Sequence, residues 1–122
     1  MNLTTLEPTL QVYLDDERPT PEGWIGCRWP EEVIELLKAG DVRIISLDHD
    51  LGNDAHGTGY DVLTWLENEV ATTDFVPPKI RIHSHNASAV QKMKLAAQSI
   101  KRLYSAKLEG KEPHPAQPQP QG

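Results

Sequence analysis

The sequence predicts an α/β domain, a three-layer sandwich with a mainly parallel sheet covered by helices. Short apolar segments alternate with longer segments whose apolar residues recur every three or four positions, in the order β, β, α, β, α, β, α. The two strongest strand segments, 10–14 and 42–47, are largely apolar, as is typical of strands covered on both faces. A length of 122 residues fits one domain with one modest core.

Four segments have the short, β-prone character of strands: 10–14, 24–29, 42–47 and 80–82. The first stops at Asp15-Asp16 and the third stops at Asp48, because charged residues do not continue a buried strand. The second is the weakest of the four. Pro77-Pro78 breaks the chain before the fourth, which predicts that this strand begins just after the two prolines.

Three segments have the apolar spacing of amphipathic helices: one from Pro30 to Gly40, one over 59–70 and one over 87–104. Proline at the first helical position and glycine just past the last one are typical helix boundaries, and they delimit the first helix. The last stretch, 109–122, is rich in proline and glutamine. We therefore predict a domain over 1–108 followed by a disordered tail over 109–122.

Composition excludes several classes of function. The net charge of −6 argues against a broad basic face for duplex nucleic acid. The single cysteine, Cys27, forms no internal disulfide and fits a reducing compartment. No segment reaches the roughly 20 apolar residues that span a bilayer, and residues 1–7 have no signal-peptide pattern. We expect a cytoplasmic protein without a membrane partner, as a monomer or a small oligomer.

Polar clusters follow three of the predicted strands. They read DDER from residue 15, DHD from residue 48 and HSHN from residue 83. Because the carboxyl ends of parallel strands share one edge of the sheet, and ligands bind beyond that edge, these clusters should converge. Any one cluster alone could simply terminate a strand or cap a helix, and Asn86 is in part the expected N-cap of the last helix. Three clusters at equivalent positions favour a site.

The chemistry of these side chains favours a divalent cation and a phosphorylated ligand. Clustered carboxylates repel one another, and a hard cation such as Mg²⁺ or Mn²⁺ relieves that repulsion. The predicted metal ligands are Asp15, Asp16, Asp48 and Asp50. Imidazoles exchange protons near neutral pH, which makes His49 and His83 candidate catalytic residues, and Asp48 is a third candidate catalytic residue as well as a metal ligand. We expect His83 to lie toward Asp48.

A phosphoryl ligand needs donors as well as a cation. Arg18 is a candidate phosphate clamp, and Ser84 and Asn86 are further candidates for substrate binding. The chain has no phosphate loop, no dinucleotide fingerprint and no nucleophile elbow. The expected partner is a small phosphorylated ligand or a nucleotide.

Four motifs carry a resemblance to a known family: LDDERP (14–19), SLDHDLG (46–52), TGYDVLTWL (58–66) and HSHNASAVQKM (83–93). They resemble response-regulator receiver domains, with Asp15-Asp16 in the place of the metal-binding pair and Asp48 in that of the phosphate acceptor. His83 replaces the receiver's hydroxyl residue, and no fifth strand with a terminal lysine is evident. These departures resemble the cyclic-phosphate processing receiver-like family of bacteria and phages.

That resemblance implies a reduced receiver-like, flavodoxin-like topology, a metal-chelating acidic pocket with added histidines, and a role in processing cyclic phosphates. The predicted function is therefore a metal-dependent phosphoesterase that acts on a cyclic nucleotide or a cyclic phosphate at an RNA end. Two alternatives stay open at this point. One is a module that binds a phosphoryl ligand without turnover, and the other is an atypical signalling receiver phosphorylated on Asp48.

Overall fold

The structure is a computed structural model that describes residues 8–48 and 57–110. The strands are β1 (Leu10–Leu14), β2 (Ile25–Cys27), β3 (Val42–Leu47) and β4 (Lys79–Ile82). The helices are α1 (Pro30–Ala39), α2 (Gly59–Thr72) and α3 (Ala87–Leu108). The order and type of every predicted element agree with these bounds. Only the lengths of β2 and α3 differ appreciably.

The four strands form one all-parallel sheet in the order β2-β1-β3-β4. Among the described residues, this order is that of the flavodoxin-like class without its fifth strand, and it confirms the predicted receiver-like α/β fold. In the register, Tyr13 is opposite Ser46, and Ser46 is opposite Arg81. The three strands therefore end at the same edge of the sheet.

Backbone capping explains where the helices begin and end. At the start of α1, the Glu32 carboxylate accepts hydrogen bonds from the backbone N–H groups of Arg28 and Trp29. Gly40 ends that helix with φ of +88°, a left-handed conformation that favours glycine. At the far end of α3, Lys107 donates to the backbone carbonyl of Thr73, which supports one helical turn beyond the predicted end.

The core lies between the helices and one face of the sheet. Val12 and Leu14 of β1 and Ile45 and Leu47 of β3 are all fully buried there. Each helix contributes buried side chains to the same cluster, represented by Val33 and Leu37 of α1, Leu63 and Leu66 of α2, and Met93 and Ile100 of α3. Burying large aliphatic side chains is worth roughly 1.5–3 kcal/mol each, so this face provides most of the stability.

The opposite face of the sheet carries the alternate side chains of the same strands, among them Tyr13, Ser46 and Arg81. The link from β1 to β2, residues 15–24, contains no helix. Within the described residues, the helical covering expected on both faces is therefore seen on one face. The site described below lies at the carboxyl end of the other face.

Two further expectations concern the ends of the chain and the membrane. Helix α3 ends at Leu108, while residues 111–122 lie outside the described part, so the boundary of the tail stays a prediction. Among residues 8–48 and 57–110, none of the helices combines the length and the apolar character that crossing a bilayer requires.

Candidate functional site

Three side chains come together at the carboxyl edge of the sheet because of strand register and alternation. Asp15, Asp48 and His83 each follow, by two positions, one of the aligned residues Tyr13, Ser46 and Arg81. Side chains two positions apart share a face, so all three project from the face opposite the helices. The hydrogen bonds between strands continue one residue past β3 and β4. The backbone N–H of Asp48 donates to the carbonyl of Leu14, and the backbone N–H of His83 donates to the carbonyl of Leu47.

The three side chains form a compact group. One ligand atom from each of Asp15, Asp48 and His83 lies within 4.8 Å of the other two. Both aspartates are buried, with 8% of Asp15 and 7% of Asp48 exposed, and His83 is half-buried. Buried carboxylates are costly unless they are hydrogen-bonded or bind a cation, so this arrangement is unusual for a purely structural strand end.

The Asp15 carboxylate is held by three hydrogen bonds and one longer ion pair. Its Oδ1 accepts from the backbone N–H groups of Glu17 at 2.8 Å and Arg18 at 2.9 Å. Its Oδ2 lies 3.1 Å from His83 Nε2 and 3.8 Å from Arg18 Nη1. Burial raises the pKa of Asp15, but the two backbone hydrogen bonds and His83 lower it more, so the net pKa lies below the usual value. Asp15 is an anion at neutral pH.

The His83 ring is fixed on both its edges and on one face. Nδ1 lies 2.7 Å from the Ser46 hydroxyl, Nε2 faces Asp15, and the ring stacks on Tyr13 with centroids 4.3 Å apart and planes 5° from parallel. Burial lowers the pKa of His83, and the neighbouring carboxylates Asp15 and Asp48 oppose that shift, leaving the net pKa below its ordinary value. A neutral ring that donates to Asp15 and accepts from Ser46 satisfies every one of these contacts.

The expected orientation of His83 needs one refinement. Its hydrogen bond is with Asp15, not with Asp48, although the Asp48 carboxylate is within the same 4.8 Å group. The reason is that β1 and β4 flank β3, so a ring above β3 reaches across to the far strand. Its neighbour Ile82 packs against the core on the other face.

The donor set fits a divalent metal ion. Two carboxylates and one imidazole in reach of a common point are ligands of the first-row divalent metals, and the oxygen-rich set suits Mn²⁺ and Mg²⁺. Asp16 is half-buried beside Asp15 but is outside this group of three, so its role as a ligand stays a prediction. His49 and Asp50 lie outside the described residues, and their predicted roles stay predictions as well.

The candidate substrate-binding residues fall in two places. Arg18 lies beside Asp15, with its side chain 35% exposed, where a guanidinium has access to a ligand. Ser84 and Asn86 lie at the start of α3: the Ser84 hydroxyl accepts from the Asn86 backbone, and the Asn86 side chain accepts from the Ala89 backbone. The capping function expected of Asn86 is therefore present, and substrate binding by Ser84 and Asn86 stays a prediction.

Two residues that position His83 were not identified from the sequence. Ser46 is buried and bonds the ring, and Tyr13 stacks on it. A signal was available: Ser46 is a hydroxyl within the otherwise apolar end of VRIISL, two residues before Asp48. The same spacing of two links Tyr13 to Asp15, which places both supporting residues on the face of the site.

Comparison with known proteins places these residues in a family. The family sequence model described as the cyclic-phosphate processing receiver domain matches residues 10–99. This span runs from β1 into α3 and includes Asp15, Asp48 and His83. A search of curated protein sequences found no significant match.

Proposed function

Because the chain belongs to the family of cyclic-phosphate processing receiver domains, we propose that it is a metal-dependent phosphoesterase that opens a cyclic phosphate by hydrolysis. The single observation that carries the proposal is the group formed by Asp15, Asp48 and His83, whose ligand atoms lie within 4.8 Å of one another. It combines cation ligands with a proton-transfer group in one place.

His83 is the proposed proton-transfer group. In the hydrolysis, water attacks phosphorus, one ring P–O bond breaks, and the product is a phosphate monoester with a free hydroxyl. The proton lost by the water must reach the departing oxygen, which stays tethered to the product. Because Nε2 carries the hydrogen shared with Asp15, the first proton must enter at Nδ1, in place of the hydrogen bond from the Ser46 hydroxyl. The imidazole, which burial keeps neutral before the reaction, would then return that proton to the departing oxygen.

The two carboxylates are the proposed metal ligands. A bound Mg²⁺ or Mn²⁺ would polarise a phosphoryl oxygen and offset the negative charge of the substrate. Asp15 is already fixed by the backbone N–H groups of Glu17 and Arg18, so a carboxylate oxygen is held in place before any ion arrives. The guanidinium of Arg18 adds positive charge where a phosphate would bind.

Replacing His83 tests the catalytic proposal. We expect His83→Gln to reduce the hydrolysis of a nucleoside 2′,3′-cyclic phosphate in Mn²⁺ by about 10²–10⁴-fold, the usual contribution of a positioned proton-transfer group. The matched control is His85→Gln, because His85 is an exposed histidine two residues further on. Thermal melts and Mn²⁺ titrations of both variants measure whether the fold and metal binding are retained, which separates the loss of a proton-transfer group from the loss of a metal ligand.

The possible results separate the functions. Turnover that falls in His83→Gln and not in His85→Gln supports hydrolysis. Equal turnover per folded molecule in the wild type and both variants contradicts the role of His83. Tight binding of the cyclic phosphate with no turnover by the wild type identifies a binding module. Acetyl-phosphate labelling of Asp48 in place of hydrolysis identifies a signalling receiver.

A second variant tests the metal. Asp48→Asn should raise the dissociation constant for Mn²⁺ by about tenfold or more, and it should stabilise the metal-free protein by relieving repulsion with Asp15. Asp74→Asn makes the same change of charge at an exposed position outside the site and should leave the affinity unchanged. Titration calorimetry that finds equal affinities for the two variants contradicts the proposed ligand set.

A further inference from the structure

The outer edge of β4 is unpaired within the described residues, since β4 is last in the sheet order and its partner is β3. The N–H of His83 points to β3, where it donates to Leu47. Backbone groups alternate sides along a strand, so Arg81 also directs its N–H toward β3. Ile80 and Ile82 instead direct both their N–H groups and their carbonyl groups to the free edge. That edge therefore offers two donors and two acceptors to another strand.

A groove of about 860 Å³ runs along this edge between β4 and α3. Its apolar lining includes Ile82 from the strand and Ile100 and Tyr104 from the helix. This is the position that a fifth strand occupies in the flavodoxin-like order. A strand added here would place alternate side chains over the apolar lining.

The rim of the groove is basic, although the chain as a whole carries a net charge of −6. Four cationic side chains line it: Lys79, Arg81, Lys94 and Lys101. None of the ion pairs between described residues involves any of them. The guanidinium of Arg81 lies over the sheet face, 5.8 Å from the centroid of the Trp24 ring, so the basic charge of the rim rests mainly on the three lysines. An anionic occupant is favoured by charge.

Other occupants fit less well. Two copies of β4 paired edge to edge would bring Lys79 and Arg81 of each close to those of the other, and like charges across a ladder are destabilising. The sequence 111–122 contains four prolines and one acidic residue, so its N–H donors are interrupted and its negative charge is small. A nucleic acid would satisfy the cations but not the backbone donors and acceptors of the edge.

We propose that the β4 groove binds an acidic, extended segment of a partner protein, which joins the sheet as a fifth strand. Its apolar side chains lie over Ile82, Ile100 and Tyr104, and its acidic side chains face the basic rim. The surface is separate from the carboxylate site, so binding here does not depend on hydrolysis.

The test uses the full chain and a fluorescein-labelled synthetic nonapeptide that alternates valine and glutamate. Anisotropy should show saturable binding that weakens as salt rises from 50 to 200 mM, and a valine–lysine peptide should not bind. Lys79→Glu/Lys101→Glu should weaken binding of the glutamate peptide by about tenfold or more, as expected when two charge pairs are reversed. Lys38→Glu/Arg102→Glu makes the same change of charge outside the groove and should bind as the wild type does.

Amide hydrogen exchange tests the strand itself. On peptide binding, the amides of Ile80 and Ile82 should gain protection, while that of Arg81, directed toward β3, should change little. The proposal is overturned if the two peptides bind equally, or if the groove variant binds as its control does. It is also overturned if an octauridylate probe binds and Lys79→Glu/Lys101→Glu weakens that binding. Sedimentation that shows a dimer of the wild type, lost in the same double variant, overturns it as well.

Discussion

Helix α2 begins at Gly59, where an alanine should destabilise the protein, which is the opposite of its usual effect in a helix. A Cβ at this position would lie 2.3 Å from the backbone carbonyl oxygen of Asp48 and 3.0 Å from the Cε of Met93. Ordinary contacts of this kind exceed 3 Å, so the backbone at Asp48 must move by roughly 1 Å. Overpacking of a close-packed region costs about 1–3 kcal/mol.

The intrinsic preference of the helix acts in the other direction. Alanine is about 1 kcal/mol better than glycine inside a helix. The steric cost at Gly59 involves a buried backbone atom, which cannot rotate away as the end of a side chain can. We therefore expect Gly59→Ala to lower the free energy of unfolding by up to about 2 kcal/mol after the gain in helix propensity is subtracted.

Urea unfolding followed by circular dichroism measures this change. All variants are fitted with one shared m value, the slope of the unfolding free energy against urea concentration. Asn68→Ala is the control, because Asn68 is exposed in the same helix and its replacement gains helix propensity without a clash. The control should be more stable than the wild type by a few tenths of a kcal/mol. A Gly59→Ala protein as stable as Asn68→Ala would refute the close approach of α2 to Asp48.

Three further predictions concern stability. Burial and, to a smaller extent, the nearby charge of Glu32 raise the pKa of the Cys27 thiol to about 11. The unfolded chain therefore loses this proton near pH 9, while the folded protein keeps it. The stability of the wild type should therefore fall between pH 9 and 11 by about 2 kcal/mol more than that of Cys27→Ala, as measured by urea unfolding across that range. Asn86→Ala removes the N-cap of α3 and should cost about 1 kcal/mol in the same assay, whereas Ser88→Ala should cost little. Ser99→Ala removes a 2.9 Å hydrogen bond to Glu67 that ties α3 to α2 and should cost about 1 kcal/mol, and an unchanged melting temperature would contradict that link.

Apolar periodicity and capping residues were sufficient to predict the order of the elements. Proline at position 30, glycine at position 40 and the apolar run 42–47 act locally, so each boundary could be inferred without tertiary information. The convergence of three strand ends also followed from topology alone. These features explain why Asp15, Asp48 and His83 were expected at one edge.

The partner of His83 could not be inferred in the same way. Whether the ring bonds Asp15 or Asp48 depends on the order β1-β3-β4 and on the length of an imidazole reaching across β3. The free edge of β4 likewise depends on which strand is last in the sheet, which the alternating pattern does not specify. Pairing between distant segments is a property of the whole fold, so local patterns predict it least well.

The place of β1 in the sheet has a consequence for how the protein folds. β1 is the first of the described strands, yet it lies inside the sheet. Its ladder with β3 joins residues that are more than thirty positions apart, such as Leu14 and Leu47. The ladder between β3 and β4 spans a similar separation, from Leu47 to Ile82. Such non-local pairings form slowly, and strands exposed in the meantime are prone to aggregation. Because the candidate site takes one side chain from the end of each of these strands, it forms only in chains in which both non-local ladders are in place.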